Sequence, residues 1–124
     1  MKKKILVIDD DKLVLRTVKQ LLERVQYEVF CASSGDEAEI LVDQHKFALV
    51  ISDIRMPGQD GINVIRRLRE RLRPEASDGT PFMFMTGYAS EDAPIDAIKL
   101  GAGDYLLKPF DLDELLNSVK KHAR

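Results

Sequence analysis

Four short apolar runs of the chain each lead into polar residues that are suited to phosphoryl chemistry. The runs are Ile5–Ile8, Phe47–Ile51, Phe82–Met85 and Tyr105–Leu107. The polar residues at or just past their carboxyl ends are Asp9 with Asp10, Asp53, Thr86 and Lys108. Unbroken apolar runs of this length are typical of strands buried on both faces of a parallel sheet, whose carboxyl ends meet at one edge. Open α/β sheets bind ligands at that edge, so the sequence predicts a site of three carboxylates, a hydroxyl and an ammonium group.

Three carboxylates in one place repel one another, and a divalent cation removes that conflict. Oxygen ligands without a nearby His or Cys favour Mg²⁺, or Mn²⁺, over zinc. Because Mg²⁺ usually takes one or two protein carboxylates, a third remains free to attack a phosphoryl group and form an aspartyl phosphate. The Lys108 ammonium and the Thr86 hydroxyl would then neutralise oxygens of that group. Asp53 is the best nucleophile, since it follows a buried strand and precedes the irregular segment Arg55-Met56-Pro57-Gly58.

Helical patterns alternate with the apolar runs along the chain. The predicted helices cover Lys12–Val25, the segment from the Ser34-Gly35-Asp36-Glu37 capping box to about His45, Ile62–Leu72, Pro94–Leu100, and a fifth helix opened by Asp111. With Glu28–Ala32 as a further strand, the order is β-α repeated five times. That order predicts an α/β fold in which a five-stranded parallel sheet carries five helices on its two faces.

Apolar residues recur at helical spacing in three of these helices and predict the faces that pack on the sheet. In the first helix they are Val14, Val18, Leu21, Leu22 and Val25, and in the third they are Ile65, Leu68 and Leu72. In the fifth helix they are Leu112, Leu115, Leu116 and Val119. The third helix also carries the arginines at 66, 67, 69 and 71, and a further arginine follows at 73. A solvated face is favoured over a nucleic-acid patch here, because glutamates interrupt the run and no aromatic residues are interleaved.

The bulk composition is that of one ordinary domain. The 124 residues suit a single domain spanning 1–124, with 44% hydrophobic and 32% charged residues. A formal net charge of −2 gives no electrostatic argument for direct nucleic-acid binding or for a membrane surface. The single cysteine, Cys31, excludes an internal disulfide and fits a reducing compartment, and no apolar stretch is long enough to cross a membrane. These features together predict a cytoplasmic protein.

The motifs around the polar strand ends resemble those of the receiver domain of two-component response regulators, along essentially the whole chain. The matching segments are Ile8-Asp9-Asp10, Asp53 with Met56-Pro57-Gly58 and Asp60-Gly61, Thr86-Gly87, Gly101-Ala102, and Lys108-Pro109-Phe110. The resemblance implies a flavodoxin-like, doubly wound sheet with strand order 2-1-3-4-5. It also implies a regulator that catalyses only its own phosphorylation and dephosphorylation, rather than an enzyme.

The resemblance implies a role for each residue of the site. Asp53 would accept a phosphoryl group from the phosphohistidine of a sensor histidine kinase or a histidine phosphotransfer protein. Asp10, Asp53 and the backbone carbonyl of Arg55 would bind Mg²⁺ directly, and Asp9 would help through water. Lys108 would pair with a phosphoryl oxygen.

A conformational switch is also implied by the resemblance. Thr86 would swing toward the phosphoryl group and Tyr105 would turn inward behind it, although Tyr105 by itself equally suits a simple core aromatic. The surface of the fourth helix, fifth strand and fifth helix would then rearrange for an unidentified output partner or a fused effector domain. The chain ends at Arg124, directly after the fifth predicted helix, so we expect a stand-alone regulator or a receiver cut from a longer protein.

Other interpretations of the acidic residues compete with this one. A carboxylate at a strand end is often only a helix N-cap, which suits Asp10 taken alone and suits Asp11 best. Capping does not explain why Asp10 occurs together with Asp53, Thr86 and Lys108. A flavodoxin-like FMN carrier is disfavoured, because three consecutive acids after the first strand would repel its phosphate.

The alternative function from a different class is a Mg²⁺-dependent phosphatase with an aspartyl nucleophile. Phosphatases similar to the haloacid dehalogenases need Asp-x-Asp-x-Thr/Val after the first strand. The segment Asp9-Asp10-Asp11-Lys12-Leu13 supplies the two acids but neither Thr nor Val at the fifth position. Turnover of a phosphate ester by the purified protein would distinguish this enzyme from a phosphorylation-controlled binding module.

Overall fold

In the part of the chain that the structure describes, five strands form a parallel sheet, and two shorter strands pair with each other. The computed structural model describes residues 2–53, 55–56, 59–72, 80–86, 104–107 and 111–123, and side chains at 2–53, 63–71, 80–85, 106 and 111–123. The strands are β1 (Lys4–Ile8), β2 (Glu28–Ala32), β3 (Leu49–Asp53), β4 (Arg55–Met56), β5 (Gln59–Asp60), β6 (Phe82–Thr86) and β7 (Asp104–Leu107). The sheet has the order β2-β1-β3-β6-β7 with parallel neighbours, while β4 and β5 are antiparallel. Counted within the sheet alone, this is the predicted order 2-1-3-4-5.

Four helices are described, and three of them begin at a capping side chain. They are α1 (Lys12–Arg24), α2 (Gly35–Gln44), α3 (Gly61–Leu72) and α4 (Leu112–His122). Asp11, Ser34 and Asp111 are the N-caps of α1, α2 and α4, and each accepts a hydrogen bond from a backbone N–H of the first turn. The helix α4 is the fifth helix of the sequence prediction, and the predicted fourth helix, at 94–100, lies outside the described residues.

The core is divided between the two faces of the sheet, because successive side chains of a strand point to opposite sides. On one face, α2 and α3 cover a cluster that includes Leu6, Ile8, Val50, Phe84, Ala38, Val42, Val64, Ile65 and Leu68. On the other face, α1 and α4 cover a cluster that includes Ile5, Val7, Ile51, Met83, Met85, Leu15, Val18, Leu22, Leu115 and Val119. The doubly wound arrangement is therefore confirmed.

Two predicted helix faces need correction. Leu112, predicted to pack on the sheet, is 44% exposed, because it is the first residue of α4 and the buried face begins one turn later at Leu115. Ser118 occupies the predicted apolar face instead, and its hydroxyl donates to the sulfur of Met83 at 3.6 Å. In α1, Leu15 is buried although it was not predicted to be, and it precedes buried Val18 at helical spacing.

Some element boundaries also differ from the prediction. The strand β3 begins at Leu49 rather than Phe47 and runs through Asp53, so Asp53 is the last residue of the strand itself. Phe47 is buried ahead of the strand, which explains why an apolar pattern extended the prediction too far. Gly61 is the first residue of α3 rather than the residue before it.

Candidate functional site

Three carboxylates meet at the carboxyl edge of the sheet. One oxygen each of Asp9, Asp10 and Asp53 lies within 4.8 Å of the others. Asp9 is 0% exposed and Asp53 is 5% exposed, while Asp10 is exposed to solvent. The predicted grouping of these acids is confirmed, and the exposed Asp10 leaves the group accessible from one side.

The parallel register of β1 and β3 explains why the buried acids are adjacent. Ile8 is the register partner of Ser52, and each is followed at once by an aspartate. Asp9 is also tied to β2, because its N–H donates to the carbonyl of Ala32 at 3.1 Å. The sheet therefore fixes the backbone at both positions before any ligand binds.

A hydrogen bond from the start of α1 orients the Asp9 carboxylate. Its Oδ1 accepts from the N–H of Asp11 at 2.9 Å. The side chain of Asp11 turns the other way and caps α1, accepting from Leu13 N at 2.9 Å and from Val14 N at 3.4 Å. The prediction that Asp11 is a helix cap is confirmed, and Asp11 is not part of the carboxylate group that faces the site.

This donor set fits a divalent cation. Two of the three carboxylates are buried, and a buried charge is unfavourable unless a cation or hydrogen bonds compensate it. The ligand atoms are hard oxygens, the kind that Mg²⁺, Mn²⁺ and Ca²⁺ prefer, and no His or Cys belongs to the group. The acidic cluster is therefore consistent with a divalent metal site.

The backbone of β6 brings a further predicted residue, Thr86, to the same edge. Asp53 pairs with Met85, so Thr86 is one residue beyond the partner of Asp53 and is the last residue of β6. Thr86 in turn pairs with Leu107, the residue that precedes Lys108 in the sequence. The side chain of Thr86 and the whole of Lys108 lie outside the described residues, so their predicted roles remain predictions.

Two other predicted residues are located only by their backbone. Arg55 pairs with Asp60 in the short β4–β5 ladder that follows β3. Tyr105 pairs with Phe84 in the sheet, one residue before the Met85–Leu106 pair. Neither the carbonyl ligation predicted for Arg55 nor the inward turn predicted for Tyr105 is tested by these positions.

The capping box at the start of α2 differs from the predicted form. The N–H of Glu37 donates to Ser34 Oγ at 3.2 Å, as expected. The Glu37 carboxylate, however, accepts from both the N–H and the Oγ of Ser33, each at 3.0 Å. The Ser33 backbone and side-chain hydrogen bonds, with a smaller contribution from Lys12, lower the pKa of Glu37. Ser33 was missed, although a serine pair before the helix was a usable signal.

The arginine run on α3 is engaged with the protein itself. Arg67 and Arg71 form ion pairs with Glu39, and Arg71 also makes hydrogen bonds of 2.9 and 2.7 Å to the Asp43 carboxylate. Arg69 lies 6.0 Å from the centre of the Phe82 ring. These contacts support the solvated-face interpretation over a nucleic-acid patch. None of the described helices has the length and apolar character that crossing a membrane requires.

Comparison of the sequence with known proteins finds a matching family model and curated relatives. Residues 5–120 match the family model of the response regulator receiver domain. The transcriptional regulatory protein CrdR of Helicobacter pylori is 37% identical over 121 residues, which cover 98% of this chain and 55% of that protein. The chain spans about half the length of the curated relatives that it matches.

Solved structures agree with the sequence relatives. A CheY-like receiver domain protein from Methanospirillum hungatei has a TM-score of 0.86 and 32% identity, covering 98% of this chain and 93% of that one. A response regulator from Burkholderia pseudomallei, solved with a phosphorylated aspartic acid, a calcium ion and citrate, has a TM-score of 0.82 and 32% identity. That alignment covers 94% of this chain and 66% of that one.

Proposed function

The chain belongs to the receiver domain family of two-component response regulators, and we propose that Asp53 is its phosphoacceptor. The observation that carries this proposal is the approach of Asp9, Asp10 and Asp53 at the carboxyl edge of the sheet. Asp53 ends a central strand, so its carboxylate is held in place by the sheet rather than by a loop. A fixed nucleophile favours phosphoryl transfer, which depends chiefly on positioning and electrostatic stabilisation.

The proposed metal is Mg²⁺, with Mn²⁺ as a substitute. Asp10, Asp53 and the backbone carbonyl of Arg55 would hold it directly, and Asp9 would hold it through water. Bound there, the ion would neutralise charge on the transferring phosphoryl group. The Burkholderia pseudomallei relative carries both a phosphorylated aspartic acid and a calcium ion, which supports a divalent ion beside the acceptor.

The phosphodonor in this proposal is the phosphohistidine of a sensor histidine kinase or a histidine phosphotransfer protein. The phosphorus–nitrogen bond of the donor breaks as a bond forms to a carboxylate oxygen of Asp53. Lys108 would pair with a phosphoryl oxygen, and Thr86 would donate its hydroxyl to another. Thr86 ends β6 and Lys108 follows the last residue of β7. Both strands reach the edge where Asp53 lies, which supports these roles.

The output in this proposal is a change of binding surface. Thr86 and Tyr105 would move together, and the predicted fourth helix, β7 and α4 would present a different face. An output partner, or an effector domain in a longer protein, would read that face, while the receiver itself would not contact nucleic acid. We also propose that residues 1–124 form one receiver domain and that it works in the cytoplasm, where the single cysteine stays reduced.

Intact mass spectrometry after incubation with acetyl phosphate tests the proposed function. With Mg²⁺ we expect one phosphoryl group per chain, lost on mild base treatment and absent when a chelator removes the ion. Asp53→Asn should remove the adduct, whereas Asp36→Asn, the same change at an exposed acid of α2, should retain it. A full-size adduct on Asp53→Asn would contradict the proposal, and repeated turnover of a phosphate ester would favour the phosphatase.

A further inference from the structure

Asp11 is fixed to the start of α1 by three hydrogen bonds. Its carboxylate oxygen accepts from Leu13 N at 2.9 Å and from Val14 N at 3.4 Å, and its carbonyl accepts from Leu15 N at 3.1 Å. Its backbone is extended, with φ −88° and ψ 109°, which is the usual conformation of an N-cap. The direction of the Asp11 peptide is therefore set by the helix.

The remaining polar group of the Asp11 backbone points at the site. Its N–H donates to Asp9 Oδ1 at 2.9 Å. Asp9 is 0% exposed, so bulk water cannot readily replace this donor if the Asp11 peptide turns away. The helix cap, two residues further along the chain, thus contributes to the orientation of the Asp9 carboxylate.

We infer that Asp11 is a positioning residue for the metal site, acting through its cap and its N–H rather than through its charge. The inference rests on the proposed function, because it concerns the divalent ion that Asp9, Asp10 and Asp53 would share. Asp11 contributes no oxygen to that group of three carboxylates, and its own carboxylate is directed at the helix. Groups that orient a ligand commonly affect metal affinity without touching the metal.

A charge effect is the competing explanation, since Asp11 is a fourth acid near the site. Substitutions at Asp11 distinguish the two explanations. Asp11→Asn removes the charge but keeps a good cap, because Asn and Asp are equivalent at this position. Asp11→Glu keeps the charge but not a preferred cap, and Asp11→Ala removes both. If the cap controls the site, Asp11→Asn should bind Mg²⁺ more tightly than Asp11→Glu. If the charge controls it, Asp11→Glu should bind Mg²⁺ more tightly than Asp11→Asn.

Titration calorimetry with Mg²⁺ alone, without any phosphodonor, is the decisive measurement. We expect the Mg²⁺ dissociation constant of Asp11→Asn to stay within about threefold of wild type, and those of Asp11→Glu and Asp11→Ala to rise about tenfold. In acetyl phosphate reactions, the Mg²⁺ concentration for half-maximal rate should rise in the last two variants. The rate at saturating Mg²⁺ should remain near wild type, because Asp11 does not touch the reacting atoms.

Ser34→Ala is the matched control, since it removes the equivalent cap from α2. It should lower thermal stability about as much as Asp11→Ala while leaving the Mg²⁺ dissociation constant unchanged. Unaltered Mg²⁺ affinity in Asp11→Ala would overturn the inference, as would weak binding by Asp11→Asn beside normal binding by Asp11→Glu. The Asn–Glu comparison still decides the matter if Asp11→Ala does not fold. Absence of Mg²⁺ binding by the wild-type chain would instead overturn the proposed function.

Discussion

Asp9 and Asp53 lie side by side because the residues before them, Ile8 and Ser52, are register partners in neighbouring parallel strands. Both strands are buried on both faces, so a shift of either strand by one residue would move its side chains to the opposite face and disrupt the packing of both clusters. The juxtaposition of two buried carboxylates is thus a consequence of the core, while the exposed Asp10 completes the group from the loop that leads into α1.

The first prediction concerns stabilisation by the metal. A ligand that binds only the folded state stabilises it by about 2.7 kcal/mol at a concentration one hundred times its dissociation constant. Adding Mg²⁺ should therefore raise the Tm of the wild-type protein in a scanning calorimeter. Asp9→Asn should show a much smaller rise, because a neutral amide attracts Mg²⁺ and its coordinated water more weakly than the charged carboxylate does.

Asp36→Asn provides the control for that experiment, since Asp36 is an exposed acid in the first turn of α2. It should retain the full Mg²⁺-dependent rise of Tm. Equal rises in Asp9→Asn and in wild type would show that Asp9 takes no part in holding the ion.

The second prediction is a pH effect from Glu37. Hydrogen bonds from Ser33 lower the pKa of this carboxyl group in the folded state. A lowered folded-state pKa gives stability that is present above the ordinary glutamate pKa and is lost as the pH falls through the folded value. Glu37→Gln should therefore lose less stability than wild type between about pH 5 and about pH 3, measured by urea unfolding.

Glu37 is largely exposed, so solvent screening keeps this effect modest. Glu70→Gln, at an exposed position of α3, is the matched substitution and should follow the wild-type pH curve. If the Glu37→Gln curve also parallels the wild-type curve, the Ser33 hydrogen bonds do not stabilise the charged carboxylate.

The third prediction tests the packing of α1 on the sheet. Leu22 of α1 is 0% exposed within the core, and Leu13 of the same helix is 67% exposed. Leu22→Ala should lower the free energy of unfolding by about 2–5 kcal/mol, because it leaves a cavity. Leu13→Ala should change that free energy by less than about 0.5 kcal/mol. If urea unfolding showed similar losses of unfolding free energy in the two variants, α1 would not pack as described.

The fourth prediction concerns Cys31. Burial is the main cause that raises the pKa of its thiol, and its sulfur lies 3.8 Å from the carbonyl oxygen of Leu15. Because the thiolate is the reactive form, alkylation by iodoacetamide at neutral pH should be much slower in the folded protein than in urea. A folded-state rate equal to the unfolded rate would show that α1 does not shield this thiol.

Sequence reasoning could predict the grouping of the acids because it depended on strand ends alone. A buried parallel strand is visible as an apolar run; Asp9 directly follows one such run, and Asp53 follows another after Ser52. The register that aligns Ile8 with Ser52 then needs no side-chain detail. The helix caps at Asp11, Ser34 and Asp111 were equally local signals, and all three occur in the structure.

Other features depend on contacts that periodicity does not encode. Helical spacing predicted Leu112 on the apolar face. It could not predict where α4 begins relative to the sheet, and Leu112, the first residue of that helix, is exposed. Ser118 is buried on the packed face of α4, where its hydroxyl donates to the sulfur of Met83. The two-residue strands β4 and β5 are too short to give any alternating pattern, so their antiparallel pairing could not be predicted from the sequence.

We expect Asp53 itself to carry the phosphoryl group. The most direct test is reduction of the acetyl phosphate-treated, Mg²⁺-loaded protein with borohydride, which converts an aspartyl phosphate to homoserine, followed by peptide mass mapping. Homoserine is expected at position 53 alone, and none is expected when Mg²⁺ is chelated. Homoserine at position 9 or 10 instead, or unmodified aspartate at 53 in protein whose intact mass shows the adduct, would contradict it.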